Sequence, residues 1–396
     1  MSDDLVIDAF GLRWSLRLDG VDPDVAARLT ELWQGARSRV AEGVGDSHGD
    51  SHGRSPGGSH DLETFHVGDV PPGAVGYRLF GNEPPRTIPY AVSRALTLAS
   101  IGRRRGSALM LHAAGLSLGP RAVALVGPSG TGKSTAAREL GRHFGYLSDE
   151  TVVLEEDRRV APYRKPVSVV VDHGSQWDKA EFSPAELGLR EPDTAYLEAL
   201  VVLERDPGRQ VPQLTTLPLV DALVAVIPES SSLPMVDRPL QRLAEAAGRS
   251  GGPYVLRYSE IGDCVDLIAD LLDPAGTWSR SGPRAPWTTT LPPADTARTA
   301  GVAGDGVDDL GGERLVRCPW RDVVHGEDGT LLLIGERPVR LGPVGEVLWR
   351  RAEQPITRSD AVEAVVAELG PHPDAAAIVA EGVTALLDSG VLRPVR

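Results

Sequence analysis

Ala122-Val123-Ala124-Leu125-Val126, followed by Gly127-Pro128-Ser129-Gly130-Thr131-Gly132-Lys133-Ser134, is the stretch that decides the fold. The first five residues form a short apolar run and predict a buried strand. A helix is expected from Thr135 onward. Between them stands G-x-x-x-x-G-K-[S/T], a specific signal in a strand–loop–helix setting. Its glycines let the backbone curl so that successive N–H groups point inward at phosphate oxygens. The helix N-terminus adds its positive dipole end. Lys133 is expected to reach the β- and γ-phosphates of ATP, and the Ser134 hydroxyl to ligate Mg2+. The expected nucleotide contacts are Gly127, Pro128, Ser129, Gly130, Thr131, Gly132, Lys133, Ser134 and Thr135.

Cation usage sharpens this expectation. Of 41 Lys and Arg residues only Lys133, Lys165 and Lys179 are lysines. A chain that otherwise chooses Arg uses a compact ammonium on a flexible stem at the loop, where a planar guanidinium fits poorly. The formal net charge is -14 and the pI near 5.2, which speaks against a general nucleic-acid binder. The short cluster Arg103-Arg104-Arg105 follows a helical stretch, where cations suit the carbonyl end of the helix dipole. Cys264 and Cys318 are the two cysteines. They make neither a metal pattern nor a disulfide framework, so a reducing cytoplasm is expected. Residues 1–8 lack the basic start and apolar core of a signal peptide. No apolar run is long enough to cross a bilayer, and no membrane partner is expected.

Working outward, residues 5–18 predict a strand and residues 23–40 a helix entered at Asp22-Pro23. Residues 42–61 are mostly Gly, Ser, Asp and His, and predict a disordered insertion. Residues 65–80 suggest strands around the turn Pro71-Pro72-Gly73, and 88–101 an amphipathic helix. Apolar runs at 108–118, 122–126, 152–154, 167–171 and 199–203 alternate with turn residues and with the loop helix, which indicates an α/β core. Residues 219–227 read as strand or helix, and 263–272 as a closing helix. Residues 276–314 are rich in Pro, Thr, Gly and Ala without apolar periodicity, as in a flexible linker. Beyond it, 320–325 and 330–334 flank the turn Gly326-Glu327-Asp328-Gly329, as in a hairpin. A strand at 338–341 and helices at 344–352, 358–369 and 375–389 follow.

Magnesium at such a loop calls for a nearby acid. Ser148-Asp149-Glu150 lies just past the loop helix. Glu204 follows the apolar run 199–203, where an ordinary P-loop NTPase carries its acid. Asp149 and Glu150 are favoured, because Tyr146-Leu147 anchors them at a strand edge.

Together, Leu111-His112-Ala113-Ala114-Gly115, the phosphate loop and Leu147-Ser148-Asp149-Glu150 resemble the core of HPr kinase/phosphorylase. They resemble more closely the HPr-kinase-like proteins of peptide-modification gene clusters, some of which phosphorylate precursor peptides. Residues 160–168, Val-Ala-Pro-Tyr-Arg-Lys-Pro-Val-Ser, match the Pro-rich turn of those proteins. The resemblance spans residues 5–272 and is strongest over 111–168. It implies a mixed-sheet α/β fold shared with phosphoenolpyruvate carboxykinase, not the parallel sheet of ordinary P-loop proteins. It implies Asp149 as general base and magnesium neighbour, His112 near the transferred phosphate, and Glu150 as a second carboxylate where the family has Asp. The glycine-containing signature that follows in true HPr kinases is absent, which speaks against HPr as the acceptor.

Residues 315–396 resemble the PqqD-like domain, the leader-peptide recognition element of ribosomal peptide maturation. The likeness rests on the hairpin, on Val339-Arg340-Leu341-Gly342-Pro343-Val344-Gly345-Glu346-Val347-Leu348-Trp349, and on Leu386-Leu387-Asp388-Ser389-Gly390-Val391-Leu392. It implies a small winged-helix-type domain that pairs an extended peptide with the edge strand 338–341. The helix 375–389 carries acids and no Arg or Lys, which disfavours DNA. The expected organisation is therefore an N-terminal α/β segment (1–105), an ATP-binding domain (106–275), a linker (276–314) and a peptide-binding domain (315–396). The expected activity is ATP-dependent phosphorylation of a Ser or Thr in a precursor peptide. The alternatives are a non-catalytic nucleotide-binding scaffold that presents the precursor to other enzymes, and a plain ATPase.

Overall fold

Alternating burial lays out the first strands. Leu5, Ile7 and Ala9 are buried along β1 (Leu5–Ala9), as are Trp14 and Leu16 along β2 (Leu12–Arg17). Residues 5–18, expected as one strand, fold instead into this antiparallel hairpin. Phe10 (φ 59°) and Gly11 (φ 75°) both take left-handed backbone, the geometry of a tight hairpin turn. The unfavourable φ of Phe10 is offset by its fully buried ring, which meets Tyr163 edge-on at 4.6 Å. The helix α1 (Pro23–Leu32) starts where Asp22 accepts from the Asp24 and Val25 N–H groups, and it stops well short of residue 40. β3 (Leu62–Gly68) and β4 (Gly76–Arg78) run parallel to β2 and to each other. The long helix α2 (Ile88–Arg104) closes a core with Trp14, Leu29, Phe65 and Leu96.

The computed structural model describes residues 5–38, 62–81, 83–170, 179–248, 251–280, 286–290 and 314–395. The predicted insertion at 42–61 lies outside them. So does most of the expected linker, apart from residues 276–280 and 286–290.

In chain order, the middle of the molecule comprises β5 (Leu109–Leu111), β6 (Ala113–Leu118), β7 (Arg121–Val126), α3 (Lys133–Leu140), β8 (Gly145–Ser148), β9 (Val152–Leu154) and β10 (Val160–Ala161). Then come β11 (Val167–Val170), β12 (Lys179–Phe182), β13 (Tyr196–Arg205), β14 (Gln213–Thr216), α4 (Leu219–Val226), α5 (Pro239–Ala247), β15 (Tyr254–Tyr258), α6 (Val265–Leu272) and α7 (Thr277–Arg280). The main sheet has the order β14-β15-β13-β7-β6-β8. β13 is parallel to both β7 and β15, whereas β6 is antiparallel to β7 and β8. The sheet is thus mixed, as expected. β7 and β13 read as continuous apolar runs because both of their faces are covered. One face, with Ala124, Leu200 and Val202, packs under α4 and α5. The other, with Leu125, Val201 and Leu203, packs under α3 and α6.

The last segment holds β16 (Arg314–Arg317), β17 (Asp322–Gly326), β18 (Gly329–Ile334), β19 (Arg337–Leu341), α8 (Pro343–Arg351), α9 (Arg358–Leu369), α10 (Ala375–Asp388) and β20 (Leu392–Val395). β17-β18-β19 form one antiparallel sheet with β19 at its edge. β20 returns to pair with β16. The hairpin β17–β18 sits on the unit built around the main sheet. Val324, Leu331 and Leu333 enter the core under α4 and α5.

Two carboxylates fix this docking. Asp322, with no exposed surface, accepts from the Leu240 N–H at 2.7 Å, the Gln241 N–H at 3.1 Å and the Gln241 side-chain amide at 2.7 Å. Asp328 accepts from the Val220 N–H at 3.1 Å and the Asp221 N–H at 2.9 Å. Each thereby caps a helix, α5 and α4 respectively, that has no side-chain cap of its own. No helix among the described residues is long and apolar enough to cross a membrane.

Candidate nucleotide site

The order of the main sheet brings the expected site residues to neighbouring strand ends. β6 runs antiparallel to β7 with Ala113 opposite Val126, so His112 stands beside the start of the phosphate loop. β8 runs antiparallel to β6 with Ser148 opposite Gly115, and the Ala113 N–H donates to the Glu150 carbonyl at 3.1 Å. Asp149 and Glu150 therefore leave β8 next to His112.

The loop is shaped for an anion. Gly130 (φ 90°) and Gly132 (φ 96°) hold left-handed backbone that other residues adopt only with strain. A Cβ on Gly127 would stand 2.9 Å from the Thr131 hydroxyl oxygen. The Thr131 hydroxyl donates to the Pro128 carbonyl at 2.7 Å, and the Tyr258 hydroxyl donates to the Thr131 carbonyl at 2.6 Å. Burial pushes the Tyr258 phenol up to about 12, so it keeps its proton for that bond. Helix α3 opens at Lys133 without a side-chain cap and without an acid in its first turn. Its N–H groups and dipole end suit a phosphate. Pro128, Ser129, Gly130, Ser134 and Thr135 are exposed around this opening.

Lys133 is nearly buried, and its ammonium turns back onto the loop. It donates to the Gly127 carbonyl and, at 3.2 Å, to the Pro128 carbonyl. It also lies 3.7 Å from the Glu229 carboxylate. Burial lowers the Lys133 pKa, and Glu229 works against that shift. Glu229 follows α4 in the short turn Ile227–Glu229, and its carbonyl accepts the His112 N–H at 2.6 Å.

Asp149 is buried, with 5% of its surface exposed, and is held from two sides. The Tyr146 hydroxyl donates to it at 2.9 Å, and the Lys165 ammonium lies 3.2 Å from each carboxylate oxygen. Lys165 also reaches Glu150 at 3.4 Å. Burial alone would lower the Lys165 pKa; Asp149, Glu150 and Glu181 outweigh it and hold the ammonium above the ordinary lysine value. Burial pushes Glu181 up, against the pull of Lys165 and of its hydrogen bond from Ser168. Tyr146 is raised well above the ordinary phenol, first by burial and then by Asp149.

The alternative acid, Glu204, lies at the exposed end of β13, 2.7 Å from Arg257. Among the described residues there is no cluster of three or more His, Cys, Asp or Glu able to hold a metal ion. Magnesium needs no such cage, since one or two carboxylates and phosphate oxygens commonly hold it. The expected donors Ser134, Asp149 and Glu150 are of that chemical kind.

Lys165 and Glu229 play no part in the expected site, yet they contact its two central charges. Rare lysine usage marked Lys165. Nothing local marked Glu229, which is brought in by the packing of α4.

Comparison with protein-family models and with curated proteins gives no match. Among solved structures, the chain is similar to the Hpr(Ser) kinase/phosphatase from Coxiella burnetii, at 14% identity over 41% of this chain and 93% of that one, with a TM-score of 0.23. At that score the likeness decides neither fold nor activity.

Proposed function

We propose that this protein is an ATP-dependent phosphotransferase that phosphorylates a Ser or Thr hydroxyl of a precursor peptide. The observation that carries the reading is the adjacency, at neighbouring ends of β7, β6 and β8, of an uncapped helix behind a glycine-shaped loop and a buried carboxylate fixed by Lys165 and Tyr146. Phosphoryl transfer needs charge neutralisation, an in-line hydroxyl and a base to orient it. Lys133 and the loop N–H groups would hold the triphosphate, and Ser134, Asp149 and Glu150 the magnesium. Asp149 would accept the hydroxyl proton, with His112 beside the transferred group. Lys165 and Tyr146 keep the Asp149 carboxylate in one orientation. Residues 315–396, read as a PqqD-like domain, would pair the peptide with the outer edge of β19. A cytoplasmic setting goes with this reading and with two free thiols, Cys264 and Cys318.

The test is to incubate the full chain with ATP, magnesium and a small peptide encoded beside its gene, and to weigh the peptide. A phosphate-sized mass gain that falls at least about 100-fold in rate in Asp149→Asn, with nucleotide binding kept, supports the kinase. Binding of peptide without a mass change makes the protein a scaffold. Phosphate release with an unmodified peptide makes it an ATPase.

A further inference from the structure

We propose that Glu229 is a positioning residue for Lys133, and that helix α4 ties it to the docked C-terminal hairpin. The inference rests on the reading of the loop as a nucleotide site. Lys133 is the group that has to meet a phosphate, yet its ammonium is engaged by the loop carbonyls and by Glu229. Both side chains of the pair are largely removed from solvent, at 6% and 15% exposed. A polyphosphate entering the loop has to draw Lys133 away from Glu229, and it meets that carboxylate as a like charge.

Glu229 does not sit there on a free arm. Its carbonyl accepts the His112 N–H, and the next residue, Ser230, bridges to Leu111. The Ser230 hydroxyl donates to the Val226 carbonyl at 3.0 Å, which fastens this turn to the end of α4. At the other end of α4 the Val220 and Asp221 N–H groups donate to Asp328. Arg340, on β19, completes that end by contacting the Asp221 carboxylate at 2.5 Å and the Asp328 carbonyl at 3.1 Å. An eight-residue helix is a rod of about 12 Å, with the hairpin holding one end and the partner of Lys133 at the other. Because β19 is also the edge proposed for the peptide, a peptide that shifts Arg340 or Asp328 acts on Glu229 through the rod. By linkage, nucleotide acts back on peptide affinity by the same factor.

The experiment measures dissociation constants of ATP, ADP and adenosine for the full chain and for Glu229→Gln, Asp328→Ala and the double variant. Glu229→Gln is expected to bind ATP and ADP about 3- to 10-fold more tightly, with adenosine unchanged. Asp328→Ala is expected to tighten ATP less, and to add nothing in the Glu229→Gln background. Isotope-labelled lysine adds a readout that a structural role would not move, because the chain has three lysines. The Lys133 signal should shift in Glu229→Gln while those of Lys165 and Lys179 stay in place. Unchanged ATP affinity in Glu229→Gln overturns the proposal. So does an Asp328→Ala effect that is equal in both backgrounds. Glu229→Gln is isosteric and carries the test alone should Asp328→Ala fail to fold. A wild-type chain that binds neither ATP nor ADP overturns the nucleotide site itself, and this inference with it.

Discussion

Replacing Asp322 by Ala is the sharpest probe of how the C-terminal segment is held. The carboxylate has no exposed surface and serves four N–H donors: Leu240 at 2.7 Å, Gln241 at 3.1 Å, the Gln241 side chain at 2.7 Å and Val323 at 2.9 Å. Removing it deletes the cap of α5, worth about 1 kcal/mol. It also strands buried donors, each costing about 1–3 kcal/mol when no partner replaces the lost one. Water reaching the small void recovers part of this, so the net expectation is about 3 kcal/mol. With a urea slope of about 2 kcal/mol per molar, the midpoint of the transition that undocks the hairpin falls by about 1.5 M. Tryptophan fluorescence reports it, since Trp320 and Trp349 pack edge-on at 5.0 Å in the C-terminal core. Asp22→Ala is the control: Asp22 caps α1 within its own segment, and its loss should cost about 1 kcal/mol. A change below about 0.5 kcal/mol in Asp322→Ala, or one no larger than in Asp22→Ala, would refute the claim that Asp322 holds the two units together.

Three further outcomes are expected. Lys133→Ala should weaken ATP binding at least about 10-fold by isothermal titration, because a charge-assisted bond to phosphate is worth about 1.5–3 kcal/mol. Lys165→Met should lower stability by about 3–5 kcal/mol, because it leaves the buried Asp149 carboxylate without its cation. In thermal unfolding the cost should shrink when Asp149→Asn is added. His325, lowered from 6.5 first by burial, hydrogen-bonds Thr290 at 3.1 Å and Thr330 at 2.9 Å. A folded value below the unfolded one means that its contribution is present above pH 6.5 and is lost as pH falls through the folded value. Urea midpoints should therefore decline below pH 6.5, and less so in His325→Gln.

What could be read from the chain follows how far each signal reaches. The phosphate loop is legible because its backbone demands glycine at fixed positions and its strand and helix adjoin it. The mixed α/β class was legible once three separated motifs were taken together, and the same motifs predicted that His112 and Asp149 stand beside the loop. The two helices that carry the docking were not. Leu219–Val226 reads as strand or helix because it is apolar nearly all round, and its N-terminus lacks a Ser, Thr, Asp or Asn cap. Pro239–Ala247 is entered through Arg238 in left-handed backbone, again with no cap of its own. Both caps lie far along the chain, on Asp328 and Asp322, so no local window contains the signal. Glu229 was hidden for the same reason. The turn Gly326-Glu327-Asp328-Gly329 was legible as a hairpin turn, but Asp328 there looks like an ordinary turn residue until the partner helix is known.

The pairing of β20 with β16 has a practical side. Arg314 stands opposite Val395 across an antiparallel ladder, which brings the two ends of residues 314–395 to within about 5.5 Å. A unit whose ends meet can be lifted out and spliced into the loop of a host protein with short joints. In such a graft Val324, Leu331 and Leu333 would face water, and Asp322 and Asp328 would lose the helices they cap. A portable version of this segment would need polar residues at those three apolar positions before it stayed monomeric.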